Sequence, residues 1–487
     1  MLDISDKYSH TSSQIVTEDI SDDDSPLLSC TSFQDMRSDH LLPDFRSPAN
    51  ACPPRKRYVS VRGKFMLAQM GAILWVMFSL WIALPWIISL ADIFGWVLTV
   101  FAIGGMAIVP GYISGLILFS VMLDNRPKVL PAENYPSISI LIAAYNEEGV
   151  ISDTLHSIIS QAYPGVLEII VIDDGSKDDT AGMVRRLNDP RIRLIVQPKN
   201  GGKASALNTG LENATHAIII TIDADTYLYR DALQHIVGRY LNDPENTVAV
   251  AGAIAVRNSR ASWVTRFQEW DYFHGIAVVK RVQSLYQGTL VAQGAFSLYE
   301  RDVVRALGGW PPCVGEDIVL SWAMLKKGYR IGYAENAVVF TNVPETYNQL
   351  FLQRRRWARG MFEALRAHPD ILLTRRISLQ FVLINMLFPW LDITYLFFFI
   401  PGIIAAFFGI FLLAGPVTLF LIPLALVNNA IIYIVQRKMF RERGLKVRKN
   451  LRGFLIYIFF SQLMMAPASL AGYGSELFRL SKVWGTK

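Results

Sequence analysis

The sequence predicts an α/β domain with a doubly wound parallel sheet, flanked by transmembrane α-helices. Three observations predict it. Apolar residues make up 52% of the 487-residue chain and charged residues 18%, a balance unusual for a soluble protein. The apolar excess collects in uncharged runs at 65–90, 94–123, 393–436 and 453–475, each long enough to cross a bilayer core, which takes about 20 apolar residues. Between them, from 135 to 345, short apolar runs alternate with helical patterns, the order expected of strand–helix units on a parallel sheet.

Residues 1–54 are rich in Ser, Asp and Pro, with acidic clusters at Glu18-Asp19 and Asp22-Asp23-Asp24. Their sparse apolar residues show no period, which reads as a disordered acidic cytosolic tail; the basic-then-apolar order of a signal peptide is missing. A transmembrane hairpin of two spans is expected over 55–128. Arg55, Lys56, Arg57, Arg62 and Lys64 precede its first span, Arg126 and Lys128 follow its second, and the break near Asp92 carries no cation. By the positive-inside rule both outer ends lie in the cytosol, and the domain at 129–345 with them. Residues 346–391 read as interfacial helices, with 377–391 alternatively the start of a tilted span. Gly415-Pro416 divides the run 393–436 into two helices, and the densely basic loop 437–452 is placed in the cytosol, so an even number of crossings lies before it. With a further span at 453–475, the region 392–487 holds about three spans and the chain about five, six being the alternative parse. These readings describe a multi-pass plasma-membrane protein with its domain in the cytosol.

Composition also excludes partners. Cys30, Cys52 and Cys313 have no metal-ligand spacing, which argues against a disulfide framework and a zinc site. The net charge of +6 is dilute, and the cations crowd beside membrane segments. The expected partner is therefore the lipid bilayer and not nucleic acid.

Within the domain, 138–144, 168–173, 193–196 and 217–222 read as strands, and 147–161, 180–187 and 203–212 as helices. Ligands of such sheets sit beyond the carboxyl ends of the strands. Polar clusters fall there: Ala144-Tyr145-Asn146-Glu147-Glu148, Asp173-Asp174-Gly175-Ser176, Gly201-Gly202-Lys203 and Asp223-Ala224-Asp225. Carboxylates alone repel a diphosphate. A divalent cation reverses this, because Mg2+ and Mn2+ take oxygen ligands from one or two carboxylates plus phosphate. Asp223 and Asp225, two apart at a strand end, point the same way and suit one metal, or one metal and one sugar hydroxyl. Lys203 supplies a point charge for phosphate. A lone Asp-x-Asp is common and usually marks a turn; the three matching clusters favour a site.

Two further motifs follow. Gly315-Glu316-Asp317 precedes a helix-patterned run at 318–325, and Gln353-Arg354-Arg355-Arg356-Trp357 follows a loop with Pro344-Glu345-Thr346. Alone, the first would be a helix cap and the second a lipid-headgroup anchor.

Taken together, Asp173-Asp174-Gly175-Ser176, Asp223-Ala224-Asp225, Gly315-Glu316-Asp317 and Gln353–Trp357 resemble the "D, D, D, QxxRW" signature of processive family 2 glycosyltransferases, which include cellulose, chitin, hyaluronan and poly-N-acetylglucosamine synthases. The resemblance runs from Ser137 to the final spans. It implies a GT-A-type, Rossmann-like domain that takes a UDP-sugar donor and a growing glycan acceptor, with Mn2+ or Mg2+ as cofactor. Ala144, Tyr145 and Glu147 would hold the nucleoside and Asp174 the uracil. Lys203 and Asp223 would contact the diphosphate and donor sugar, and Asp225, with Asp223, the metal. Asp317 would be the general base, with Glu316 beside it in the catalytic pair. Gln353, Arg356 and Trp357 would sit over the donor and beneath the acceptor. Gln293-Gly294-Ala295 stands where relatives shape the acceptor pocket, here departing from the commoner Cys-Gly or Ser-Gly.

The chemistry implied is a single displacement that inverts an α-linked donor to a β-linked product, with the acceptor hydroxyl giving its proton to Asp317. An unperturbed Asp, with a pKa of about 3.9, is ionised at neutral pH. Gly-Glu-Asp resembles chitin-oligosaccharide and hyaluronan synthases, whereas Pro344-Glu345-Thr346 and Gln353-Arg354 resemble poly-N-acetylglucosamine synthases. Both favour UDP-N-acetylglucosamine, with a glucan open. Single transfer to a lipid carrier is the alternative reaction. A transporter with a degenerate domain is disfavoured because every expected acid is present. Asp392, Asn385, Asn428, Asn429 and Gln462 could line a glycan path or bond between helices.

Overall fold

The computed structural model describes residues 59–480, apart from 126–128, 130, 131, 287, 375, 415–420, 443 and 446–448. The acidic tail at 1–54 and the break at Gly415-Pro416 lie outside the described residues. All described residues belong to one compact unit, Phe45–Lys487.

The first apolar block folds as two helices, Val61–Phe94 (α1) and Trp96–Met122 (α2). Ser60 caps α1 by accepting a hydrogen bond from the Gly63 amide at 3.1 Å. Gly95, at φ 76°, breaks the chain between them. A π-turn at Gly104–Ile108 interrupts α2.

The domain then opens on Ile138–Ala144 (β1), apolar and almost wholly buried, as an interior parallel strand should be. Ile151–Ile159 (α3), Leu167–Asp173 (β2), Thr180–Arg186 (α4), Ile192–Val196 (β3), Lys203–Asn213 (α5) and Ile218–Ile222 (β4) follow. Strands β1 to β4 pair in parallel in the order β3-β2-β1-β4, as expected. The helix expected over 147–161 starts only at Ile151. The cause is visible: the Glu147 and Glu148 amides donate sideways to Thr180 Oγ1 (2.8 Å) and Asp178 Oδ2 (3.1 Å), so residues 147–150 form a turn.

Beyond β4 the sheet departs from the all-parallel expectation. It continues through Thr226–Leu228 (β5), Ala232–Asn242 (α6), Thr247–Val256 (β6), Trp263–Trp270 (α7), a π-turn at Asp271–Ile276, Ala277–Leu285 (α8), Phe296–Glu300 (β7), Arg301–Ala306 (α9), Glu316–Lys326 (α10) and Arg330–Thr341 (β8). Strand β7 inserts antiparallel between β4 and β6, and β5 lies antiparallel on β8. The full order is β3-β2-β1-β4-β7-β6-β8-β5, a mixed sheet of GT-A type. Strands β6 and β8 pair in parallel, so the antiparallel contacts are those of β7 with β4 and β6 and of β5 with β8.

Tyr347–Ala367 (α11), carrying the Gln353–Trp357 motif, leaves the sheet and leads to Leu379–Phe407 (α12), Leu421–Glu442 (α13) and Leu451–Leu477 (α14). Among the described residues, α1, α2, α12 and α14 are long and apolar enough to cross a membrane. Residues 379–391 run into 407 as one helix with a π-turn at Tyr395–Phe399. One face of the sheet buries Ile140, Ile142, Leu155 and Ile236. On the other face, the cluster holding Leu141, Ile172, Trp310 and Trp322 continues without a break into Ala68, Ala72 and Leu116 of the hairpin and Phe381 of α12.

Candidate active site

The polar clusters converge beyond the carboxyl ends of β1, β2 and β4. After β1, Asn146 takes a left-handed conformation (φ 56°). Its side-chain oxygen accepts from the Lys177 amide at 2.8 Å, which ties the β1 turn to the β2 turn. Ala144 is buried, and its carbonyl accepts from the Asp174 amide at 2.8 Å. Tyr145 projects into solvent. Asp174 is buried, and its two oxygens accept from the amides of Gly201 and Gly202, each at 2.8 Å. Burial raises its pKa, against those two bonds. Asp174 therefore fixes the glycine turn that delivers Lys203.

Lys203, first residue of α5, donates to Asp223 Oδ1 and lies 4.0 Å from Glu316 Oε1. Burial alone would lower its pKa; Asp223 and then Glu316 outweigh this and push it up to about 12, so it is a fixed cation. Asp225 accepts from Thr341 Oγ1 at 3.2 Å. Burial first, then the charges of Asp223 and Glu147, raise its pKa to about 6. Among the described residues no group of three or more His, Cys, Asp or Glu side chains is assembled to hold a metal. Divalent magnesium-type sites need only one or two carboxylates plus substrate phosphate. Asp223 is already engaged by Lys203, whereas Asp225 is a half-buried carboxylate short of positive charge. That donor set fits a divalent cation.

Glu316 and Asp317 open α10. Glu316 is 5% exposed. Burial, then Asp317, raise its pKa to about 8 against the pull of Lys203. Asp317 is held on both oxygens: Oδ1 accepts from the Ile318 amide (2.8 Å) and Oδ2 from the Gly294 amide (3.2 Å). Gly294 also presses on Lys203, since a Cβ there would sit 2.6 Å from the ammonium. Gln293 is fixed by donating from Nε2 to the Gly252 carbonyl at 2.6 Å.

The motif of α11 reaches the same cleft. Charges of Arg356 act on both Glu316 and Tyr272. Gln353 Oε1 is buried with no hydrogen-bond partner among the described residues. Trp357 is 40% exposed. The structure thus brings Lys203, Asp223, Asp225, Gly294, Glu316, Asp317 and Arg356 into mutual electrostatic or hydrogen-bonding reach. Tyr145 stands at the rim, and Asp174 acts behind the glycine turn.

Sequence reasoning missed several residues. Lys280 of α8 is buried and donates to the Val291 carbonyl at 2.6 Å, bracing the segment that carries Gln293 and Gly294. Burial lowers its pKa to about 8, countered by Asp317. Thr341, from the end of β8, touches Asp225 from a strand distant in sequence. Neither has a local motif; only pairing of β6 with β8 and packing of α8 brings them in. Of the polar membrane residues, Asp392 accepts from Gln462 Nε2 (2.6 Å) and Tyr473 OH (3.2 Å), and Asn429 meets His274 Nδ1 at 2.8 Å. Each of these bonds links separate helical segments.

Residues 139–308 match the glycosyl transferase family 2. The chain is similar to poly-β-1,6-N-acetyl-D-glucosamine synthases. It is 33% identical to that of Staphylococcus aureus strain MSSA476 over 281 residues, 56% of this chain and 67% of the relative. It is 33% identical to that of Staphylococcus epidermidis over 268 residues, 54% of this chain and 64% of the relative. The fold is similar to that of a mannosyltransferase from Pyrobaculum calidifontis solved in complex with GDP-Man and Mn2+, at a TM-score of 0.53 and 22% identity, covering 78% of this chain and 99% of that one.

Proposed function

The chain belongs to the processive family 2 glycosyltransferases, and on that premise we propose that it polymerises UDP-N-acetylglucosamine, by inversion, into a β-linked glycan that leaves through its own membrane helices. The name of the staphylococcal relatives supports the sugar. One observation carries the chemistry. The Gly294 amide bonds Asp317, and a Cβ on the same glycine would collide with the Lys203 ammonium. A carboxylate and a phosphate-binding cation thus meet at one glycine, which supports holding acceptor and donor side by side for a direct displacement.

Lys203, fully cationic at neutral pH, holds the diphosphate and takes up a share of the charge that develops as it leaves. Asp225, with Asp223, would hold a divalent cation, which supplies further neutralisation of that charge. Asp317, oriented by two amides, accepts the proton of the acceptor hydroxyl as it attacks the anomeric carbon. Glu316, protonated at neutral pH, adds no second negative charge beside the diphosphate. Trp357, 40% exposed, offers an apolar face to a sugar ring.

The test is purified protein incubated with radiolabelled UDP-N-acetylglucosamine or UDP-glucose, with Mn2+, with Mg2+ and with chelator. The expected product is a ladder from UDP-N-acetylglucosamine that chelation abolishes. Asp317→Asn should lose transfer while keeping UDP affinity. A product of one added sugar would establish single transfer instead, and incorporation from UDP-glucose alone would replace the sugar.

A further inference from the structure

We propose that Asp271 is a positioning residue that sets the indole of Trp357, by way of Arg354, for the acceptor sugar. The proposal rests on the reading of Trp357 as an acceptor platform. The family signature constrains Gln353, Arg356 and Trp357 and leaves Arg354 open; Asp271 lies outside every motif.

Asp271 begins the π-turn that follows α7. Its Oδ2 accepts from an Arg354 guanidinium nitrogen at 2.7 Å, and the two side chains are only 16% and 11% exposed. Such a shielded, charge-assisted bond is among the stronger polar contacts. The same guanidinium lies 4.1 Å from the centroid of the Trp357 ring and 6.0 Å from that of Tyr272. Arg354 and Trp357 are three apart on α11 and so share a face. The cation therefore covers one face of the indole, within cation–π range, and leaves the remaining surface open.

No other hydrogen bond or ion pair holds Arg354 among the described residues, and its Nε is buried without a partner. Among the described residues, Asp271 is its one hydrogen-bonding anchor. That anchor is rigid, because the π-turn is gripped from the membrane side. Gln436 donates to the Phe273 carbonyl at 3.0 Å, and His274 bonds Asn429 at 2.8 Å. A side chain fixed by its surroundings can fix the next one. Freed from Asp271, the guanidinium loses its orientation, and the indole loses the plate that holds it flat.

The test compares Asp271→Asn, Asp271→Glu, Arg354→Lys and Trp357→Ala in the full-length protein in micelles. UDP affinity is read by calorimetry, and kcat and KM for transfer to a short N-acetylglucosamine oligosaccharide. Asp271→Asn should raise acceptor KM about tenfold, with UDP affinity unchanged within about twofold, since the lost contact is of cation–π size. Asp271→Glu should restore most of the acceptor KM. Arg354→Lys should not, because an ammonium keeps charge but lacks the planar stack. If Asp271→Asn does not fold, Arg354→Met carries the same test. Equal losses in UDP and acceptor parameters, or none, would overturn the proposal. Should Trp357→Ala leave acceptor KM untouched, the platform reading fails and the proposal with it. Should Trp357→Ala raise it while Asp271→Asn does not, only the role of Asp271 fails.

Discussion

Glu316 and Asp317 are adjacent acids, and at the residue scale their surroundings differ. Asp317 is held in place by two backbone amides, which donate to its two oxygens. Glu316 is buried, and its pKa is raised to about 8. The shift has a consequence for stability. In the unfolded chain Glu316 ionises near its ordinary value of about 4.3. In the folded chain it keeps its proton to about pH 8. Between those values the folded state binds more protons, so its stability falls as pH rises, and the contribution is fully present only below the window. Glu316→Gln keeps the shape and removes the titration. Its melting temperature relative to the native protein should therefore climb between pH 5 and pH 8. A constant difference across that range would show that Glu316 does not carry the raised pKa.

At the scale of elements, the motif helix is held by close backbone contact. A Cβ on Gly360 of α11 would lie 2.8 Å from the Gly315 Cα, just before Glu316. The Gly315 amide also donates to Glu363 Oε2 of α11 at 2.9 Å. Helix α11 thus carries Gln353–Trp357 at a distance from α10 that only two glycines permit. In an unhindered helix interior, Gly→Ala gains about 1 kcal/mol of helix propensity. Here the obstacle is backbone, which cannot swing aside, and overpacking costs about 1–3 kcal/mol. Gly360→Ala should therefore lower the melting temperature, and should cut transfer more than UDP binding, since it moves α11 away from Asp317. A stabilised variant of normal activity would refute the close contact.

Elements also differ in how far the sequence makes them legible. Strands β1 to β4 and the polar clusters at their ends are readable, because interior parallel strands are continuous apolar runs and their ends face the ligand. The true start of α3 escapes local pattern, because Thr180 and Asp178 reach across to the Glu147 and Glu148 amides from another turn. The mixed half of the sheet, and with it Thr341, depends on pairing between strands far apart. Lys280 and Asp271 are ordinary helical charges until tertiary packing sets them behind the Gln293-Gly294 segment and the indole.

At the scale of the whole molecule, the domain and the membrane helices fold as one piece. Arg281 of α8 bonds Asp124, at the end of the hairpin, at 2.5 Å and Glu335 of β8 at 2.9 Å. Helix α14 lies along the motif helix. Glu476 accepts from Arg359 at 3.1 Å and from Arg366 at 2.7 Å, and Tyr347 OH donates to the Met464 carbonyl at 3.3 Å. Under the proposed function, a glycan extended over Trp357 would meet these packed helices, and its many hydroxyls bar it from lipid unless protein lines the way. This arrangement predicts where product accumulates. In proteoliposomes that meet UDP-N-acetylglucosamine only from outside, enzyme whose domain faces outward should deliver polymer to the lumen. The polymer should then resist an added glycan hydrolase until detergent opens the vesicles. Digestion without detergent would mean that the chain is released on the donor side and that the helices serve only to hold the domain.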